Sequence, residues 1–120
     1  MLVVQRLLQS SVDPLAGMKV LCVFHDDPRQ PWTIDEMTNR LDISPLAISR
    51  AFVDLQQHAL IVGIGDDGAF RLGALGLQTN VFVGALGLAL REDSGAVSRA
   101  IGVRSCSALR DVVGSFTRFT

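Results

Sequence analysis

Five side chains between positions 33 and 71 carry chemistry suited to a polyanion. Arg50 can bond a guanine edge or a phosphate, and Ser49 beside it can bond either. Ser44 and Thr33 each stand where a helix begins, and there free N–H groups and the helix dipole favour a phosphate. Capping is their first role, and it does not exclude anion contact. Arg71 follows in a stretch of alternating apolar residues, placed to reach a sugar-phosphate backbone. Other constellations fall short. Cys22 and His25 are three apart on one predicted helix, but two ligands do not make a metal site, and neither His58 nor Cys106 has a spacing that completes one. No metal is therefore expected. There is no phosphate loop, nucleophile elbow or His-carboxylate motif, so no catalytic residue and no cofactor is expected, and the chain is not read as an enzyme.

The elements that must position these residues are marked by their ends. Asp13-Pro14 starts a first helix, with Asp as N-cap and Pro at the first helical position. It continues through LAGMKVLCVF and stops near HDDPRQP (25–31), where two prolines forbid continuation. Thr33 and Glu36 form a capping-box pattern for a second helix of about 33–40, whose Ile34, Met37 and Leu41 share one face. Ser44-Pro45 repeats the start signal. Ile48, Phe52 and Leu55, with Ala51 beside them, form the buried stripe of a third helix reaching about His58. In IVGIGDDGAFRLG (61–73), apolar runs flank Gly65-Asp66-Asp67-Gly68, a turn for a β-hairpin.

Two helices three residues apart, a longer third helix and a hairpin follow the order of a winged helix. The residues T-x-x-E-M-x-x-x-L-D-I-S-P-x-A-I-S-R-A-F-x-x-L-x-x-x-A-L-I, then G-D-D-G-A-F-R-L-G, resemble the DNA-binding domain of the MarR family. The closing F-R-L-G with a helix behind it is more similar to the IclR family. The resemblance spans about 13–75. It implies that the third helix enters the major groove of double-stranded DNA with Pro45, Leu46, Ala47, Ser49 and Arg50 facing outward, that Thr33, Ser44 and Arg71 hold phosphates, and that helices outside the winged helix make a homodimer. IclR relatives continue into a large effector domain, which 120 residues cannot hold.

Charge sets a second reading beside this one. Between 30 and 72 the basic residues are Arg40, Arg50 and Arg71, against Asp35, Glu36, Asp42, Asp54, Asp66 and Asp67, and the whole chain carries a formal net charge of −1. DNA-binding modules are basic on the contact face. The acidic wing tip, Asp66-Asp67, argues against insertion into the minor groove. The alternative is a winged helix used as a protein-interaction module, with a protein partner on the apolar Leu46-Ala47 surface and Arg50 as a rim charge.

The remainder is read as a helical tail. From Leu72 to Leu90 no residue is charged, and GALGL occurs at 73–77 and again at 84–88. Read as one helix, this puts both copies on nearly one face, with Leu77, Val81, Gly84 and Leu88 in a stripe. Gln78, Thr79 and Asn80 lie at its centre and no Trp or Tyr flanks it, so it is read as a packed or inter-subunit helix, not a membrane span. Ser94 and Ser105 are candidate caps for two short helices. In the second, Leu109, Val112, Val113 and Phe116 share a face. Beyond position 90 the charge turns basic, with Arg91, Arg99, Arg104, Arg110 and Arg118 against Glu92, Asp93 and Asp111.

With 48% hydrophobic residues the chain can build a real core. The apolar start MLVVQRLL is short and interrupted by Arg6, so no secretory signal is read and the cytoplasm is the expected location. The expectation is a mainly α fold with a small β-hairpin wing: an N-terminal extension (1–12), a winged helix-turn-helix (13–73) and a helical tail (74–120). The tail is the dimerisation segment through Leu77, Val81, Gly84, Leu88, Leu109, Val112 and Phe116. The function expected is sequence-specific DNA binding as a homodimeric transcriptional regulator.

Overall fold

The computed structural model describes residues 2–116. Arg118, counted above among the tail's basic residues, lies outside them. The described residues form seven helices and one two-stranded antiparallel sheet, in the order α1 (Leu2–Ser10), α2 (Pro14–Asp26), α3 (Ile34–Leu41), α4 (Pro45–Gln57), β1 (Ile61–Ile64), β2 (Ala69–Leu72), α5 (Leu77–Glu92), α6 (Ser94–Gly102) and α7 (Cys106–Gly114). The fold is thus mainly helical with a hairpin wing.

The caps form where local chemistry demands them. The Ala16 N–H donates to Asp13 Oδ1 at 3.1 Å, with Pro14 behind it. Thr33 and Glu36 close a full capping box: the Glu36 N–H donates to Thr33 Oγ1 (3.2 Å) and the Thr33 N–H donates to Glu36 Oε1 (2.9 Å). Ser44 accepts from the Ala47 N–H and Ser105 from the Ala108 N–H. One cap differs from expectation. Asp93, not Ser94, caps α6, accepting from the Ala96 N–H, because its carboxylate is the stronger acceptor one residue earlier.

The turn between α3 and α4 is tight because Asp42 closes α3 in the left-handed region (φ 54°, ψ 43°), a conformation Asp adopts more readily than most residues. The wing turn places its positive φ on the two glycines, Gly65 (63°) and Gly68 (76°). Register pairs Ile61 with Leu72 and Val62 with Arg71. Trp32, just before α3, makes a single antiparallel bridge to β2: its N–H donates to Phe70 O (2.7 Å) and its carbonyl accepts from the Phe70 N–H (2.9 Å).

One core joins all parts. Phe24 of α2, Phe52 of α4 and Phe70 of β2 form a run of tilted and edge-on rings with centroids 5.4 and 5.5 Å apart, the geometry aromatic pairs favour. Met37, Ile48 and Leu55 are enclosed beside them. A side chain buried to this extent contributes about 1.5–3 kcal/mol. Residues 2–12 are more than an appended extension: α1 sends Val4, Leu7 and Leu8 fully into the same core.

The tail departs from the single-helix reading of 72–90. The first GALGL copy lies in an extended link, and only its Leu77 belongs to α5. Gly73 donates its N–H to Leu60 O (2.8 Å). A Cβ there would meet Ala59 O at 2.7 Å, so only glycine fits where this link passes the end of α4. The two copies therefore share no helical face. At 16 residues α5 is short, and among the described residues no helix is long and apolar enough to cross a membrane.

Two helix ends carry non-glycine residues at positive φ. At the end of α4, Ala59 (φ 58°) sits in a Schellman arrangement, with Leu60 N donating to Leu55 O and Ala59 N to Gln56 O. At the end of α6, Arg104 (φ 54°) repeats it through Ser105 N to Ala100 O and Arg104 N to Ile101 O. The Arg104 side chain then reaches back to the last carbonyls around α1: Leu8 O (3.1 Å), Gln9 O (3.2 Å), Ser11 O (2.7 Å) and Val12 O (3.5 Å). A guanidinium is suited to this, because a helix C-terminus presents unpaired carbonyls and partial negative charge.

Candidate nucleic-acid interface

The helix that should face a partner is α4. Ile48, Ala51, Phe52 and Leu55 point into the core, which turns Leu46, Arg50, Val53 and Gln57 outward in one stripe. Ser44, Pro45 and Arg50 are exposed, Ala47 and Ser49 half-buried, and Leu46 is 61% exposed. Arg50 makes no hydrogen bond or ion pair with any described residue.

The two candidate phosphate-holding helix starts are not equivalent. At α4, Ser44 Oγ accepts from Ala47 N at 3.3 Å, Pro45 has no N–H, and the first turn holds no acid. The Leu46 N–H and the Ser44 hydroxyl proton remain available to an anion. At α3 the box occupies the Thr33 and Glu36 N–H groups and leaves those of Ile34 and Asp35 open. Glu36 occupies the Thr33 N–H, and Asp35 and Glu36 place two carboxylates on the first turn. These offset the positive end of the dipole. Thr33 keeps its hydroxyl proton, as Ser44 does, but an anion at α3 would face two first-turn carboxylates that α4 lacks.

Arg71 is exposed on the outer face of the wing, opposite Val62. Its Nη1 lies 3.5 Å from Leu72 O, at the limit of a hydrogen bond, which leaves the guanidinium free to reach outward. Asp66 and Asp67 stand exposed at the wing tip. Val53, 50% exposed, belongs to the presented stripe although sequence reasoning did not single it out. Its spacing of seven from Leu46 was the available signal.

The proposed dimerisation residues divide. Leu77 (79% exposed), Val81 and Leu88 stand on the open side of α5. Val81 lines two adjoining grooves, one of about 470 Å³ reaching Leu77, Phe82 and Arg110, and one of about 290 Å³ reaching Gly84, Leu88 and Phe116. Gly84 also faces inward: a Cβ there would meet His25 Cε1 at 3.4 Å. Next to it, His25 Nε2 donates to Asn80 Oδ1 at 2.7 Å, tying α2 to the first turn of α5. Leu109 is fully buried in its own chain and cannot serve at a seam, because α7 turns it, with Val113, onto the core. Val112 and Phe116 are half-buried at the groove margins.

Both thiols are free, without a disulfide. Burial pushes the Cys22 thiol up to about 12, Asp26 adds to the rise and Arg91 opposes it. Cys22 is therefore a neutral packed group at physiological pH. Cys106 is half-buried against the core.

The chain matches no known family model, no curated protein and no solved structure.

Proposed function

We propose that the protein is a cytoplasmic, sequence-specific DNA-binding regulator of the MarR/IclR kind that acts as a homodimer. The observation that carries this reading is the open N-terminal half of α4. Its first turn holds no acid, Leu46 and Arg50 are exposed, and Arg50 has no partner among the described residues. In this mechanism Leu46, Ser49 and Arg50 address base edges in the major groove, and Ser44 and Arg71 hold the flanking phosphates. Two copies joined through the open face of α5 would present two such helices to successive major grooves, about 34 Å apart. A pair of weakly basic surfaces then suffices, because the second contact becomes intramolecular.

The experiment is binding of the purified protein to random-sequence duplex DNA across a salt series, with Arg50→Ala and Ser44→Ala alongside. Affinity should fall steeply with salt, and Arg50→Ala should weaken it by at least about tenfold, the loss of one good base or phosphate contact. One observation favours a second reading. Leu46 and Val53, both large, apolar and exposed, flank Arg50 on the presented stripe, a surface that also suits a protein partner. Absence of DNA binding at low salt would favour that protein-interaction module.

A further inference from the structure

A cleft of about 170 Å³ opens where α2, α3 and α5 meet. Three cations line it, each from a different helix: Lys19 of α2, Arg40 of α3 and Arg91 of α5. The single acid on the lining is Asp26. None of these four side chains makes a hydrogen bond or ion pair with any described residue. Buried Cys22 forms part of the wall, and both Asp26 and Arg91 lie close enough to act on its thiol. The arrangement stands out in a chain whose formal net charge is −1 and in which Lys19 is the one lysine.

Like charges gathered in a cleft repel, and the low-dielectric wall behind them reduces screening. An anion seated among them would relieve that repulsion and receive charge-assisted hydrogen bonds from two planar guanidinium forks and one ammonium. The space corresponds to a few water molecules. We propose that this cleft binds a small multivalent oxyanion, of phosphate size, held by Lys19, Arg40 and Arg91. Such a ligand would bridge α3 of the helix-turn-helix to α5 of the tail, linking the two halves of the chain through one bound group. The inference uses no residue of α4 and does not depend on DNA binding.

The test is titration of the full-length protein with inorganic phosphate against sodium chloride at matched ionic strength, followed by calorimetry and by ¹⁵N chemical shifts. Saturable binding is expected, with shifts centred on Lys19, Arg40 and Arg91. Lys19→Gln and Arg91→Gln should each weaken it by about tenfold, the loss of one charge-assisted contact. Asp26→Asn should strengthen it, because the repelling carboxylate is gone. Arg99→Gln, outside the cleft, should leave it within about twofold. All four positions are at least partly exposed, so the variants keep the core intact. No saturable phosphate binding, or equal losses in Arg99→Gln and Arg91→Gln, would overturn the proposal.

Discussion

The helix-turn-helix half and the tail use their apolar residues differently. In α2, α3 and α4 the inward stripes are enclosed, and what remains outside is a short stripe on α4 with Leu46 and Val53 around Arg50. In the tail, Leu77, Val81 and Leu88 of α5 and Val103 just after α6 stay uncovered, and three grooves of about 470, 340 and 290 Å³ run along the helices. The first half shares its core with the tail through α2 and offers a narrow, mixed surface. The second fixes itself to the core through Phe82, Leu86, Val97, Ile101 and Leu109 and leaves its other side open. On the proposed function this difference corresponds to a division of labour, with recognition assigned to α4 and self-association to α5.

The largest expected effect separates the two sides of the tail. Leu109→Ala should destabilise the folded chain by about 2–5 kcal/mol, because it empties an enclosed site. Leu77→Ser should leave monomer unfolding within about 0.5 kcal/mol, yet weaken self-association. Denaturant unfolding at low protein concentration, with sedimentation at high concentration, checks both. Equal unfolding losses would erase the distinction between the closed and open faces.

Next in size is the clamp that holds the tail to α1. Arg104→Ala should cost about 1–3 kcal/mol, since it removes a charged donor from a group of backbone carbonyls. Arg104→Gly should be milder by about 1 kcal/mol, because glycine relieves the positive φ that alanine must still adopt. Thermal unfolding of the pair reads that difference directly. The reverse order would mean that the positive φ at position 104 carries no strain that glycine can relieve.

The smallest effect lies at the end of α4. Ala59→Gly should stabilise the protein by about 0.5–1 kcal/mol through relief of the left-handed backbone at no loss of packed side chain. Destabilisation would show that the Ala59 methyl packs more tightly than its exposed position implies.

Local chemistry made much of the helix-turn-helix half legible in advance. Asp13, Thr33, Ser44 and Ser105 cap helices because a side-chain oxygen three residues before an N–H needs no knowledge of the rest of the fold. The stripe Ile48, Phe52, Leu55 and the Gly-Asp-Asp-Gly turn are similarly local. What escaped reading depends on distant partners. The burial of α1, the Trp32–Phe70 bridge and the inward turn of Leu109 are set by packing that no short window encodes. The apparent GALGL repeat failed because its first copy lies in an extended link whose Gly73 meets the backbone of Ala59 and Leu60, a contact between segments. For the candidate site, the outward position of Leu46 and Arg50 followed from helical spacing. The difference between Ser44 and Thr33 did not, although the Thr33–Glu36 box and the first-turn carboxylates at the α3 end were visible in the residues themselves.

The most direct test of the division of labour is a ¹⁵N chemical-shift map of the full-length protein titrated with a random-sequence duplex at low salt. The account predicts that the perturbed amides cluster at the start of α4, at Leu46, Ser49 and Arg50, with a second group near Arg71, while the open face of α5 is unmoved. Perturbation confined to α5–α7, or none at all, would contradict it.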